Sequence, residues 1–309
     1  MSVKKDFYYL SDDQETKIHA VKWMPDGEVR AVLQIAHGMV EFIERYDEFA
    51  GYMADHGFLV VGNDHLGHGD SIKSKEYYGY FAKENGNRAL IRDMHKLRCI
   101  TEKEYAGLPY FILGHSMGSF LTRQYICCHG KGLAGTIIMG TGYKPRFAVK
   151  AGIVLTAILA KRHGWMYRSR LVDAMAFGGY NRNYKPARTD RDWLCRDEKV
   201  VDAYIAEEKC QFLFTLNAYH NLFHGLYKLT FEEYLERMPR EMPVLFVAGE
   251  DDPVGDQGRG VKKVVETFRK TGMKDISCKL YPDDRHEILN ELDRKQVYRD
   301  ILQWLNRLI

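Results

Sequence analysis

The sequence predicts an α/β fold, with a mostly parallel central sheet flanked by helices and a helical segment inserted between two of its later strands. Three observations carry this. Short, nearly uninterrupted apolar runs recur along the chain, which suits strands buried on both faces under covering helices. Several runs end in small or polar residues that begin a turn, and the carboxyl ends of strands are where open α/β sheets bind ligands. The strand rhythm stops between about residues 143 and 229, where the apolar spacing is helical instead.

Residues 31–36 (AVLQIA) form the first run and lead into His37-Gly38. Residues 58–61 (FLVV) precede Asn63-Asp64, and residues 110–113 (YFIL) precede Gly114-His115. Residues 136–139 (TIIM) run into Gly140-Thr141-Gly142, and residues 244–248 (VLFVA) into Gly249-Glu250-Asp251. Residues 276–281 (ISCKLY) alternate more and are expected as a late strand near the sheet edge. In the insertion, Phe147, Ile153, Val154, Ile158 and Leu159 mark one apolar helix, and Phe212, Phe214, Leu216, Leu222 and Phe223 a second apolar cluster. The expected organisation is a core over residues 1–142, a helical cap over 143–229 and the rest of the core over 230–309. Such a cap would lie over the carboxyl edge of the sheet.

Composition narrows the function classes. The 309 residues are 45% hydrophobic and 28% charged, which excludes disordered, collagenous and coiled-coil chains. Lys and Arg exceed Asp and Glu by 45 − 42 = 3 and are interleaved with them, so nucleic acid is not an expected partner. Six cysteines without a C-x-x-C spacing make neither a disulfide framework nor a zinc or redox motif. The first ten residues carry Lys4, Lys5 and Asp6 and no apolar h-region, so no signal peptide is expected. The longest uncharged apolar run, 151–160, is too short to span a bilayer. The expected location is cytoplasmic; oligomeric state and transient contact with a membrane surface stay open.

The sharpest chemical signal is Gly114-His115-Ser116-Met117-Gly118, which follows a strand-like run and precedes a helical pattern over 119–129. This is G-x-S-x-G in its strand–turn–helix setting, a sharp turn that exposes the serine hydroxyl at the edge of the sheet. Glycine is expected at 114 and 118 because side chains there would strike the neighbouring strand and helix. A serine hydroxyl is a weak nucleophile and needs a base, which needs an orienting carboxylate. The order Ser, Asp, His is met by Ser116, Asp252 and His286. His286 is the only histidine after His224, while Asp252 competes with Asp251 and Glu250 and is favoured because Pro253 holds it extended. An oxyanion hole would take the backbone N–H groups of Met117 and, from the His37-Gly38-Met39 loop, Met39. His37 itself is expected to fix that loop. The run Asp64-His65-Leu66-Gly67-His68-Gly69-Asp70 has the composition of a metal cluster, but no second ligand set is found and no metal ligand is assigned.

With these parts in place, the chain resembles the α/β-hydrolase superfamily, and within it the bacterial monoacylglycerol lipase and lysophospholipase group. The segments that carry the resemblance are His37-Gly38-Met39-Val40-Glu41 with Arg45-Tyr46, residues 63–69, Gly114 to Gly118, Asp251-Asp252-Pro253-Val254 and His286-Glu287. In the insertion, Tyr180-Asn181 and the stretch Arg188-Thr189-x-x-Asp192-Trp193-Leu194-x-Arg196-Asp197 look like the cap of these proteins. One departure stands out: where the group has His-Ser after HG-x-x-Glu, this chain has Phe42-Ile43, so glycerol recognition does not simply carry over. The resemblance implies a cofactor-free serine hydrolase acting on carboxylic esters through an acyl-enzyme, with monoacylglycerol or lysophospholipid-type esters foremost. An insertion rich in Phe, Met, Ile and Leu and without a cationic cluster favours an apolar acyl chain. A peptidase or amidase with the same triad, and an esterase for aromatic or short-chain acyl esters, are the alternatives. A metal hydrolase at His65 and His68 and a non-catalytic binding protein are weaker ones.

Overall fold

The computed structural model describes residues 3–309; Met1 and Ser2, at the start of the segment read as lacking a leader, lie outside the described residues. Eight strands form one sheet: β1 (Val3–Leu10), β2 (Lys17–Met24), β3 (Ala31–Ala36), β4 (Phe58–Asn63), β5 (Tyr110–His115), β6 (Gly135–Met139), β7 (Val244–Gly249) and β8 (Ile276–Tyr281). Their order is β1-β2-β4-β3-β5-β6-β7-β8, parallel from β4 to β8 and antiparallel for β1 and β2. Every residue of β3 to β7 is buried, as their unbroken apolar runs require. In β5, Phe111 and Leu113 point to one face and Tyr110 and Ile112 to the other. The buried Gln34 of β3 accepts from the Tyr110 hydroxyl at 2.7 Å and donates to the Met94 carbonyl at 3.0 Å, so its polarity is satisfied.

The helices are α1 (Asp47–Asp55), α2 (Gly86–Glu104), α3 (Met117–His129), α4 (Arg146–His163), α5 (Arg170–Phe177), α6 (Glu198–Ala206), α7 (Leu216–Lys228), α8 (Glu232–Leu235), α9 (Arg259–Lys270) and α10 (Arg294–Asn306). Phe49 and Met53 of α1 and Tyr298 and Trp304 of α10 cover one face of the sheet. Met94 and Leu97 of α2, Leu121 of α3 and Val264 of α9 cover the other. Between β6 and β7 the chain is helical, as its spacing predicted, and contributes no strand.

Two strands were not legible in the sequence. β1 and β2 form a hairpin on the edge opposite β8, and β1 exposes Val3, Tyr8 and Leu10, so charge and apolarity mix along it instead of forming a run. The hairpin is fastened from outside: Lys4 pairs with Glu44 and Asp47, and Ser11 Oγ donates to the buried Asp93 at 2.7 Å. Burial pushes the Asp93 carboxyl up to about 7.

Candidate active site

The chain leaves β5 through a sharp turn. Ser116 sits at φ 53°, ψ −117°, a conformation costly to a residue with a Cβ, and its N–H is held by the Met139 carbonyl at 3.0 Å. Helix α3 starts at Met117, earlier than expected, so the Met117 N–H is among the donors at the helix start that lack an intrahelical acceptor. The two glycines are obligatory for the stated reason. A side chain at 114 would collide with Thr122 and the Gly118 carbonyl, and one at 118 with the backbone of Ala36 and His37.

The turn after β7 places three carboxylates in reach of the edge, and only Asp252 goes inward. It is fully buried and its Oδ2 meets His286 Nδ1 at 2.9 Å, while its Oδ1 accepts from the Val254 N–H at 2.8 Å. Glu250 and Asp251 face solvent. His286, in the loop after β8, is 2% exposed and lines one pocket with Ser116, Gly38 and Met39. Ser116 and His286 share the pocket without a direct hydrogen bond between their side chains; such contacts often close only around a substrate.

The loop after β3 explains how one backbone donor is aimed. His37 Nε2 accepts from the His65 N–H at 2.9 Å, so its proton is on Nδ1 and is donated to the Gly38 carbonyl at 2.7 Å. In a trans peptide the following N–H points the opposite way, so the Met39 N–H is turned away from His37. Burial keeps His37 below its ordinary pKa and therefore neutral. The loop-fixing role expected for His37 is thus met.

Beneath the pocket, five groups share protons and charge. Arg45 bridges Glu41 at 2.8 Å and Glu287 at 2.7 Å. Glu41 takes the Gly38 N–H, the Tyr46 hydroxyl at 3.0 Å and His115 Nδ1 at 3.1 Å. Burial acts against the Glu41 anion, but His115 and Arg45 outweigh it and hold its carboxyl well below the usual range. His115 Nε2 donates to the His286 carbonyl at 3.3 Å, so the elbow, the loop after β3 and the loop after β8 are joined through one buried network. Phe42-Ile43 adds no polar side chain to the Glu41–Arg45 pair; Ile43 is buried and its N–H binds Asp64 at 2.8 Å.

The inserted segment contributes residues that sequence reasoning missed. Trp193 packs on the His286 ring at 5.2 Å between centroids, and the Glu287 N–H donates to the Leu194 carbonyl at 2.8 Å. The Tyr204 hydroxyl donates to the Val40 carbonyl at 2.9 Å. Asp173 and Arg191 line the pocket beside Phe177, Leu194 and Phe212, so two charged side chains join the apolar residues that the insertion was expected to supply. Apolar spacing does not register single charged positions such as Asp173 on α5 and Arg191 in the following segment. The pocket's free space is about 60 Å³, well under the ~300 Å³ at which drug-sized ligands are usually held.

His65 and His68 do not converge as metal ligands would. Their rings are 6.4 Å apart and edge-on, and burial lowers the pKa of both.

Known proteins resemble this chain over nearly its whole length. The family model for serine aminopeptidase, S33, matches residues 27–293. The monoacylglycerol lipase of Mycolicibacterium smegmatis is 25% identical over 295 residues, covering 92% of this chain and 90% of that protein. The human monoglyceride lipase is 25% identical over 301 residues, covering 92% and 85%. Among solved structures, a thermostable carboxyl esterase from Bacillus coagulans in complex with glycerol superposes with a TM-score of 0.92 at 27% identity, covering 100% of this chain and 99% of the other.

Proposed function

The chain belongs to the serine aminopeptidase S33 family of α/β-hydrolases, and from that premise we propose that it cleaves carboxylic esters of the monoacylglycerol or lysophospholipid type through an acyl-enzyme. The observation that carries this reading is the Asp252–His286 pair, buried at the sheet edge and sharing a pocket with Ser116 on its strained turn.

In the proposed reaction, Ser116 Oγ attacks the ester carbonyl while His286 Nε2 takes its proton. Asp252 keeps the imidazole in the right tautomer and stabilises it once cationic. The N–H groups of Met39 and Met117 receive the oxyanion, each such donor contributing about 3 kcal/mol to the barrier reduction. His286 then protonates the leaving alcohol, and a water activated by the same imidazole releases the acid. Hydrolysis should fall on acidification, because a protonated His286 cannot accept the serine proton.

Residues 143–229 act as the cap in this reading. A long acyl chain needs more room than the pocket's free space of about 60 Å³, and in this reading a shift of the cap supplies it. Phe147, Val154 and Ile158 lie on one face of α4, and Leu171 and Met175 on α5, all exposed, with Lys150, Lys161, Arg162 and Arg170 exposed beside them. An apolar face rimmed by cations suits transient contact with a lipid surface. Six unpaired cysteines suit a reducing, cytoplasmic location.

The test is acid release from a panel of glycerol monoesters and simple esters, acetyl to palmitoyl, with aminoacyl amides alongside, for wild type and Ser116→Ala. We expect Ser116-dependent hydrolysis with a medium or long acyl optimum. The family description also names peptidases; Ser116-dependent cleavage of amides and not esters would replace the ester reading with that one.

A further inference from the structure

Away from the pocket, α7 carries two histidines one turn apart. The Nε2 atoms of His220 and His224 face each other at 3.1 Å. The tautomer of His220 follows from its other nitrogen. Thr156 of α4 uses its hydroxyl proton on the carbonyls of Gly152, at 2.8 Å, and Ile153, at 2.9 Å. Its oxygen can therefore only accept from His220 Nδ1, 2.9 Å away. The Nδ1 atom carries the proton, so the Nε2 lone pair of His220 accepts from His224 Nε2–H, and a bound cation would replace that proton once His224 takes its Nδ1–H tautomer.

We propose that His220 and His224 form a site for a divalent transition-metal cation of the Cu²⁺, Ni²⁺ or Zn²⁺ class. Two imidazole nitrogens bound at ~2.0–2.1 Å to one ion lie roughly 3 Å apart, which is the separation the pair already has. The bond from His220 Nδ1–H to Thr156 is the outer-shell contact that metal-binding histidines characteristically make, fixing both ring orientation and tautomer. Lys228 repels a cation, and among the described residues no carboxylate bonds to either ring. Water must complete the coordination, and affinity should follow the order Cu²⁺ over Ni²⁺ and Zn²⁺.

The other grouping of this kind, His19 with Asp64 and Asp70, is already spent within the protein. His19 bonds Asp64 at 2.8 Å, Asp64 accepts the N–H groups of Ile43 and Asp70, and Asp70 pairs with Lys209.

A reporter stands beside the proposed site. The ring of Trp165 lies 4.9 Å from that of His220 and is 43% exposed, whereas Trp23, Trp193 and Trp304 are buried. Full-length protein would be titrated with Ni²⁺ at pH 7.5 while tryptophan emission is followed. Ni²⁺ is preferred to Cu²⁺ because exposed Cys99, Cys128 and Cys278 are open to oxidation. We expect quenching that saturates below millimolar metal, disappears in Trp165→Phe and weakens at least tenfold in both His224→Gln and His220→Gln, with unchanged circular dichroism. Quenching that does not saturate, that survives Trp165→Phe, or that is the same in the histidine variants would overturn the assignment.

Discussion

From Arg146 to Phe177 the helical segment turns one face to α7 and the other to solvent, with Phe147 79% and Met175 66% exposed. Between Asn181 and Asp197 the side chains of Asn181, Arg188, Thr189, Asp192 and Arg196 are all bound. Asn181 receives the Trp193 N–H and donates to the Thr189 carbonyl, and Asp192 takes the N–H groups of Arg188 and Thr189. Arg196 binds Asp284, Glu291 at 3.0 Å and Asp293 at 3.0 Å, and Arg285 reaches back to the carbonyls of Asp192 and Cys195. The difference teaches that one stretch of sequence holds two mechanical parts. The leading half presents apolar side chains to solvent, while the trailing half is tied to the loop that carries His286.

The largest effect that would break this division is expected at Arg196. Asp284 and Glu291 are fully buried and share its guanidinium. Arg196→Met should cost about 3 kcal/mol, because the buried side chains of Glu291 and Asp284 lose the charged donor they share. Denaturant unfolding checks this; a stability within error of wild type would mean that the loop stands without the insertion. Next comes Trp193→Ala, which removes the ring packed on His286. We expect kcat to fall roughly tenfold, about 1.4 kcal/mol of barrier, with KM for a short soluble ester little changed. A change confined to KM would make Trp193 a substrate contact instead.

Acidity sharpens the same comparison. Burial, then Asp293 and Glu291, push the Asp284 carboxyl up to about 8 against the opposing pull of Arg196. A raised carboxyl favours the protonated form in the fold, so its contribution to stability is full below the unfolded value near ~4 and is lost as pH rises through about 8. Asp284→Asn carries no charge at any pH, so its melting temperature relative to wild type should rise between pH 5 and pH 9. A pH-independent difference would refute that linkage. The smallest effect belongs to the leading half. Phe147→Ser with Ile158→Ser should leave stability within about 0.5 kcal/mol, as exposed positions usually do. The pair should lower hydrolysis of a monoester presented in vesicles but not of a soluble short-chain ester. Equal loss on both would show that this face serves the pocket and not a lipid surface.

The sequence revealed those features whose physics is local. Strands β3 to β7 announced themselves because burial on two faces excludes charge from a continuous run. Ser116 was legible because its turn needs glycine at 114 and 118, and His286 because no other histidine follows His224. Asp252 could be favoured but not separated from Asp251 on the sequence alone; the separation comes from which carboxylate the turn directs inward. The β1–β2 hairpin escaped because a half-exposed edge mixes Lys4, Asp6 and Tyr8 with apolar residues. The ties from Arg196 to Asp284 and from Trp193 to His286 span about ninety residues, and no periodicity encodes such pairs. The exposed face of α4 was misleading in another way: Phe147, Val154 and Ile158 have the spacing of a buried stripe, and only the packing of α4 on α7 shows that they face outward.

The central claim is that Ser116 is a nucleophile made reactive by His286. Its most direct test is to treat the protein with an organophosphonate ester and map the adduct by mass spectrometry, in wild type, Ser116→Ala and His286→Gln. A single adduct on Ser116, absent in Ser116→Ala and formed far more slowly in His286→Gln, is the predicted result. Labelling at another residue, or at Ser116 with an undiminished rate in His286→Gln, would contradict it.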